Sequence, residues 1–188
     1  MVGRLTHWKG QHLLLEALRT LPGVHAVIAG DALFTAEDRQ YADRLKSDAS
    51  TPDLAGRIHF LGFRDDLHRW CGMADLVVHA SVAPEAFGRV IVEGMLAGKP
   101  VIAARAGGPI EILSDRDTGI LVTPNDSREI AAAIRAVLAD PEAASAMGAR
   151  AREHARRRFS KDSMLRAIDR IIDSLVPAQC GFAIKPER

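Results

Sequence analysis

The sequence is poor in cysteine, and its cysteines form no paired motif. Of 188 residues only Cys71 and Cys180 are cysteines, and they stand in dissimilar contexts without a C-x-x-C pair. This scarcity argues against a disulfide-rich secreted domain. It favours a reduced, cytoplasmic chain with one thiol in the core.

The sequence also lacks an excess of charge of either sign. It contains 25 Lys and Arg residues against 24 Asp and Glu residues, for a net charge of +1. Domains that bind nucleic acid usually carry a clear basic excess or patch. The balance therefore gives no reason to expect nucleic acid as a partner.

Long apolar runs and processing or metal motifs are missing as well. No stretch approaches the ~18 apolar residues that a membrane helix needs, and the N-terminus has no signal-peptide pattern. The seven histidines show no metal-ligand spacing with cysteine or carboxylates, and neither a Walker A nor a G-x-S-x-G motif occurs. Residues 1–4 look like the middle of a strand, from which we expect the first strand to be truncated.

What the sequence does contain is a regular alternation of strand and helix patterns. Short apolar runs bounded by Gly, Pro or Asp predict strands at residues 24–29, 57–61, 76–79, 100–104 and 120–122. Amphipathic helices fill the gaps, and helices alone follow from residue 142 to 176. This order predicts a Rossmann-like α/β domain, a doubly wound parallel sheet with a helical C-terminal extension. We expect the domain to span residues 1–176 and residues 177–188 to form a loose tail.

Three local patterns refine the helix predictions. Gly98 stands where a C-terminal glycine closes a helix, and Asp126 and Glu129 have the spacing of a capping box. The last helices carry a basic face, which we interpret as solvated, with contact to phosphate or lipid headgroups as the alternative. Its members are Arg150, Arg152, Arg156, Arg157 and Arg158.

Ligands of open parallel sheets bind beyond the carboxyl ends of the strands, so the residues that follow each strand are the candidates. Gly3, Arg4 and Lys9 come at and after the end of the truncated first strand, at the N-terminus. The two cations could bind a diphosphate, although ordinary surface charge is the better explanation of such a pair in isolation. Trp8 beside them could line a pocket or cap the core.

A second candidate segment follows the strand at 76–79. A loop there leads to a helix that begins near Gly88, and the free N–H groups of such a helix start form an anion site. Glu85 and Glu93 flank it, seven residues apart, and a carboxylate near this start could accept two hydrogen bonds from a sugar diol. The plainer alternatives are a helix-dipole partner for Glu85 and a helix-face role for Glu93. His79, at the end of a buried strand, is expected to be a satisfied core or pocket-wall histidine rather than a catalyst.

The pair Gly107 and Gly108, after the strand at 100–104, offers a third candidate. Two glycines between a strand and a helix permit a ligand to approach the backbone closely. A plain tight turn is the alternative.

These motifs together resemble the C-terminal domain of the family-four retaining glycosyltransferases. The resemblance rests on their order along the chain: VGRL with Lys9-Gly10, IAGD (28–31), HFLGF (59–63), PEAFGRVIVEGMLAGKPVIA (84–103), GGPIEI (107–112) and TGILV (118–122). It covers residues 1–140 closely and the C-terminal helices loosely. It implies the donor half of a GT-B enzyme that transfers a hexose from a nucleotide diphosphate sugar with retention of configuration.

The resemblance also implies a role for each matching residue. Arg4 and Lys9, beside Gly3, would hold the donor diphosphate without a metal or other cofactor, and Glu93 would bind the ribose. Glu85 and the backbone of Phe87 and Gly88 would contact the donor sugar. The N–H of Arg89 or Val90 would meet a phosphate, and the backbone near Phe63 would line the base. The donor would be a UDP- or GDP-sugar, with UDP favoured.

Two departures from the family pattern affect these expectations. Gly94 replaces a frequent Ala, which should slightly weaken its helix. The resemblance also leads us to expect that the N-terminal acceptor domain, which could contact the inner face of the membrane peripherally, is missing from this chain, and that this chain alone is inactive. A stand-alone nucleotide-sugar-binding or regulatory module is the alternative. Glu85 and Glu93 with Arg4 and Lys9 argue against an epimerase or a phosphorylase.

Overall fold

The structure, a computed structural model, describes residues 1–175, so Cys180 and the expected tail at 177–188 lie outside the described residues. The five predicted strands are present, with boundaries shifted by two residues at most: β1 (Ala26–Ala29), β2 (Ile58–Gly62), β3 (Val77–His79), β4 (Val101–Ala104) and β5 (Ile120–Val122). β1 begins later than predicted because Val24 still belongs to a turn, where its N–H donates to the Leu21 carbonyl.

Helices occupy the predicted gaps. They are α1 (Gln11–Arg19), α2 (Ala36–Ala49), α3 (Leu67–Met73), α4 (Arg89–Leu96), α5 (Gly108–Ile112), α6 (Ser127–Ala139), α7 (Pro141–Arg158) and α8 (Lys161–Leu175). A single 3-10 turn, His7–Lys9, precedes α1.

Every strand pairing is parallel. β1 pairs with β2, and β4 lies between β3 and β5. Val2 joins the β1–β2 set through an isolated parallel bridge to Ala29. Parallel sheets flanked by helices confirm the predicted Rossmann-like α/β class. The described strands are hydrogen-bonded in two sets rather than in one continuous sheet.

The core has two parts, one on each face of the β3–β5 sheet. Val78 and Ile102 point into a cluster formed with α1, α2 and α6. Val77 and Val101, their neighbours in sequence, point into a second cluster with α4 and α7. Adjacent strand residues face opposite sides, which is why these strands are apolar throughout. The second cluster also holds Cys71, which is the thiol expected in the core.

Gly94 has a packing role that outweighs its weak helix propensity. A β-carbon at this position would lie 3.0 Å from Val101 Cγ2 and 3.1 Å from Val77 Cγ2. Glycine therefore lets α4 lie close against β3 and β4. Gly98 follows the end of this helix with φ +72°, and its N–H donates to the Met95 carbonyl over 2.9 Å, which confirms the predicted closure.

The predicted capping box is only half formed. Asp126 accepts from the N–H groups of Arg128 and Glu129, as an N-cap should. The Glu129 carboxylate, however, accepts from the Thr123 N–H over 2.6 Å rather than turning back to Asp126. Thr123 follows β5 directly, so Glu129 ties the end of the strand to the start of α6.

The C-terminal helices are largely exposed. On the basic face, Arg150 pairs with Asp117 at 2.7 Å and Arg157 with Glu153 at 3.3 Å, all with side chains half exposed or more. These contacts favour the interpretation as a solvated face. α8 has no buried residue, and its apolar stripe of Leu165, Ile168, Ile172 and Leu175 is exposed. Among the described helices none is both long and apolar enough to cross a membrane.

Candidate functional site

A polar cluster forms around the carboxylate of Glu85, at the carboxyl end of β3. Lys9 forms an ion pair with Glu85 Oε2. The same oxygen accepts from Ser81 Oγ and lies near His79 Nε2, each at 3.4 Å, and Ser81 Oγ lies 3.1 Å from His79 Nε2. Three neighbours thus converge on one oxygen, although Lys9 is 76 residues away from Glu85 in sequence.

Glycines allow the loops of this cluster to meet. A β-carbon at Gly10 would lie 1.9 Å from the Ala80 carbonyl oxygen, and one at Gly108 would lie 2.3 Å from that of Phe87. The Gly108 N–H donates to the Glu85 carbonyl over 2.7 Å. The expectation that Gly107 and Gly108 admit a ligand is therefore replaced by a different role, which is to let the Glu85–Phe87 loop pack on the start of α5.

The charges of the cluster shift its pKa values. Burial alone would raise the pKa of Glu85, but the hydrogen bond and charge of Lys9, together with His79, bring it below its usual value. Burial lowers the pKa of His79, and Lys9 lowers it further, while Glu85 acts in the opposite direction. His79 is thus neutral at pH 7 and is buried in the wall of the site with 3% of its surface exposed, which confirms the expected place. Its buried Nδ1 has no hydrogen-bond partner among residues 1–175, so the expectation that the histidine is fully satisfied is wrong.

Arg4 stands beside this cluster with Trp8 between it and Lys9. The Lys9 ammonium lies 4.1 Å and the Arg4 guanidinium 5.8 Å from the centre of the Trp8 ring. Phe34 also lies beneath Arg4, at 5.1 Å. Aromatic faces hold cations in this way without neutralising them, so Trp8 lines the site and leaves the charge of Arg4 available to an anion, whereas the Lys9 ammonium is paired with Glu85.

Gly3, Arg4, Phe63 and Arg89 line one cleft of about 280 Å³ at the carboxyl ends of β1 and β2. Gly30 and Arg64 contribute to the same cleft. Phe63 is 74% exposed. Its aromatic ring, and not only its backbone, is therefore accessible to a ligand in the cleft. The sequence brought Gly3, Arg4 and Phe63 forward as candidates, and the fold places them together.

Glu93 lies on a neighbouring cleft of about 570 Å³, which Arg89 also lines. Its carboxylate is 3.5 Å from the Arg89 guanidinium, one helical turn earlier, and its side chain is 35% exposed. Phe87 shares this cleft and packs edge-on against Phe159. Arg89 therefore stands between the Arg4 cleft and the Glu93 cleft.

The start of α4 lies where these clefts meet. Gly88 is its N-cap with φ +92°, and Val90 is in the first turn with its side chain buried. The N–H groups of a first helical turn have no partner within the helix, and the helix dipole adds a partial positive charge there. Two cations, a helix start and a hydrogen-bonding carboxylate at one edge can bind an anionic ligand that also carries hydroxyls.

Sequence reasoning missed two features of this site. Ser81 was not singled out, although its position two residues after His79 at a strand end was a usable signal. The support of Arg4 by Phe34 had no signal in the sequence, since the two are joined only by the fold. Within residues 1–175, no group of three or more His, Cys, Asp or Glu side chains is placed to hold a metal ion.

Fold and site together define a Rossmann-like α/β domain with an anion-binding edge. The chain belongs to the family described as "Glycosyl transferases group 1", whose sequence model matches residues 1–154. The lipopolysaccharide core biosynthesis mannosyltransferase LpcC of Rhizobium leguminosarum bv. viciae is 34% identical over 178 residues, which are 93% of this chain and 50% of that protein. The chain spans about half the length of the curated relatives it matches.

Solved structures agree with this membership. A crystal structure of Anabaena HepE in complex with UDP superimposes with a TM-score of 0.88 at 40% identity, over 92% of this chain and 48% of that one. The C-terminal domain of the Francisella tularensis group 1 glycosyltransferase LpcC superimposes with a TM-score of 0.76 at 27% identity, over 85% of each chain. The fold of this chain is thus the Rossmann-like fold of a GT-B glycosyltransferase domain, in agreement with the resemblance found in the sequence.

Proposed function

We propose that this chain is the donor-binding domain of a retaining glycosyltransferase that transfers a hexose from a nucleotide diphosphate sugar to an acceptor. The observation that carries the proposal is the convergence of Lys9, Glu85 and the start of α4 at one edge of the sheet. A diphosphate needs cations and N–H donors, and a sugar needs a carboxylate that accepts from hydroxyls. Both kinds of group stand within this one site.

In this proposal each part of the ligand has its own partners. Arg4 and Lys9 bind the diphosphate and stabilise the negative charge of the leaving group, and the Arg89 or Val90 N–H meets one phosphate. Glu85, with the backbone of Phe87 and Gly88, contacts the sugar. Glu93 accepts from the ribose hydroxyls, and the base lies along the Gly3 and Phe63 cleft.

The identity of the donor is also part of the proposal. UDP-sugars are favoured because the structures of Anabaena HepE are described in complex with UDP and with UDP-glucose. The site as proposed uses protein cations in place of a metal.

We further propose that residues 1–176 form one half of a two-domain enzyme, whose other half binds the acceptor. The support is that relatives such as R. leguminosarum LpcC are about twice as long as the matched region. Orientation of two reactants can supply roughly 7–11 kcal/mol of barrier reduction. A chain that binds only the donor should therefore transfer no sugar. In the complete enzyme we expect reaction in the cytoplasm, with peripheral contact to the inner membrane through the acceptor half.

A nucleotide panel tests the proposal directly. Thermal unfolding is followed with UDP, GDP, ADP, UDP-glucose and GDP-mannose, and a ligand at about a hundred times its dissociation constant should stabilise the fold by about 2.7 kcal/mol. The double variant Arg4→Ala, Lys9→Ala is the control and should lose the shift. No shift with any nucleotide, or an equal shift in the double variant, contradicts the proposed function. Transfer by the chain alone would contradict the two-domain division.

A further inference from the structure

The Lys9–Glu85 ion pair presents a conflict that the proposed function must resolve. Lys9 is placed to bind a diphosphate, yet its ammonium group is engaged with Glu85 Oε2. The side chains of both residues are about 85% buried, with 16% and 15% exposed. Lys9 is the only Lys or Arg paired with Glu85 among residues 1–175. A partly buried carboxylate that loses such a partner is costly, and a nearby diphosphate would repel it further.

Two further groups already touch the same carboxylate oxygen. Ser81 Oγ donates to Glu85 Oε2, and His79 Nε2 lies at the same distance of 3.4 Å. Ser81 and His79 are 1% and 3% exposed, so neither can turn out to solvent. Their 3.1 Å contact with each other fixes the two side chains as a unit beneath Glu85.

The backbone gives this unit a rigid base. His79 is the last residue of β3, whose partner β4 pairs Ala103 with it. Ser81 follows two residues later, at the point where Gly10 packs against the Ala80 carbonyl. Lys9, in contrast, ends a 3-10 turn and reaches Glu85 through a flexible four-carbon side chain. Of the three neighbours of Glu85, Lys9 is the one that can move.

Resting on the proposed function, we infer that Lys9 exchanges Glu85 for the donor diphosphate, and that His79, braced by Ser81, is the positioning residue that keeps Glu85 aimed at the donor sugar. In the free protein Lys9 and His79 share the carboxylate. With donor bound, the Nε2–H of neutral His79 and the Ser81 hydroxyl remain. His79 touches neither phosphate nor sugar in this account, and its effect reaches the ligand only through Glu85.

The test separates the sugar from the nucleotide. Calorimetry gives the ratio of the association constants for UDP-glucose and UDP, which measures the contribution of the sugar. His79→Leu removes the hydrogen bond and should lower this ratio about five- to tenfold, within the range for the net loss of one ordinary hydrogen bond. His79→Gln can still place an N–H near Glu85 and should restore most of the ratio. Affinity for UDP alone should change little in either variant.

Two controls keep the result interpretable. Thr118→Val removes a buried hydroxyl that accepts from the Ser114 N–H, a hydrogen bond in which none of the groups around the Glu85 carboxylate takes part, so it should lower stability while leaving the ratio unchanged. Ser81→Ala removes the brace and should lower the ratio by about two- to threefold, which provides a second route if His79→Leu does not fold.

The outcomes distinguish this inference from the proposed function. If UDP does not bind the parent chain, the proposed function fails and this inference fails with it. If UDP and UDP-glucose bind but the ratio is unchanged in His79→Leu and Ser81→Ala, only the positioning role is overturned. If Gln at position 79 lowers the ratio as far as Leu does, the effect is one of packing and the inference is likewise wrong.

Discussion

The backbone of Gly107 runs directly against that of Glu85. The two residues form an isolated parallel bridge, and a β-carbon on Gly107 would lie 2.3 Å from the Glu85 carbonyl oxygen. The position of Glu85 is therefore set from two sides, by this backbone contact and by the side chains of Lys9, His79 and Ser81. A substitution remote from any ligand atom should be able to displace it.

Gly107→Ala should be strongly destabilising. Gly107 has φ +69° and ψ −138°, a region that is nearly exclusive to glycine and costs other residues about 1–3 kcal/mol. The clash with Glu85 adds about 1–3 kcal/mol of overpacking. Denaturant unfolding measures the loss. Gly56→Ala is the control, since Gly56 has φ +75° with nothing within 4 Å of its β-carbon position. Equal losses in the two variants would show that the contact with Glu85 adds nothing.

Arg4 and Lys9 should respond differently to removal. Each alanine variant should weaken UDP binding by about 1.5–3 kcal/mol, the range for hydrogen bonds to charged groups. Arg4→Ala should barely affect folding, because Arg4 rests on Trp8 and Phe34 without an ion pair among the described residues. Lys9→Ala should also lower stability at neutral pH, because Glu85 loses its cation.

Calorimetry and unfolding on the two variants, with Arg135→Ala on α6 as a distant control, decide this prediction. Adding Glu85→Gln to Lys9→Ala should recover the lost stability, since a neutral amide needs no cation. Unchanged UDP affinity in both single variants would remove Arg4 and Lys9 from the diphosphate site. A Lys9→Ala protein as stable as the parent would mean that the ion pair contributes nothing to folding.

Glu93→Gln tests the ribose assignment. The amide keeps the size of the side chain but weakens its acceptance of hydrogen bonds from the two ribose hydroxyls. Binding of UDP should therefore weaken more than binding of its 2′-deoxy analogue, as compared by calorimetry. Arg89→Gln is the matched control, because it removes the charge that lies 3.5 Å from Glu93 while leaving the carboxylate in place. Equal losses for the two ligands in Glu93→Gln would assign Glu93 another role.

Much of the site could be predicted because parallel strands end at a common edge. Arg4 and Lys9 follow the N-terminal segment that pairs with β1 through Val2, and Glu85 follows β3. Once the order of the elements was recognised, all three had to lie on the same side. Helix ends such as Gly98 could also be predicted, since their signals are confined to a few neighbouring residues.

The specific contacts between residues distant in sequence could not be predicted from the sequence. The pairing of Lys9 with Glu85 joins residues 76 positions apart, and no local pattern encodes it. Gly107 and Gly108 looked like a place for ligand approach because glycine signals only that something comes close to the backbone. The structure shows that this neighbour is the Glu85–Phe87 loop. Glu129 similarly had the right spacing for a capping box but found a nearer unsatisfied donor at Thr123.

Tyr41 should give the protein a distinctive loss of stability in alkali. Its hydroxyl donates to Gln11 Oε1 at 3.2 Å and accepts from the His12 N–H at 3.1 Å. Gln11 is fully buried, and its Nε2 donates a hydrogen bond to the Arg4 carbonyl over 2.7 Å. Burial, only partly offset by these backbone contacts, raises the pKa of Tyr41 from 10.0 to about 12. The phenolate is therefore disfavoured in the folded chain.

The direction of the effect follows from linkage. Because the pKa of Tyr41 is higher in the folded than in the unfolded chain, its contribution to stability is complete below pH 10. That contribution declines as the pH rises from 10 to about 12 and is constant beyond.

Tyr41→Phe should lose about 1 kcal/mol at neutral pH through the broken hydrogen bonds, but should show a shallower decline in alkali. Tyr41 is the only tyrosine in the sequence, so phenolate absorbance reports on it alone. Titration of the folded chain near pH 10, or identical alkaline profiles for the parent and Tyr41→Phe, would contradict the buried network.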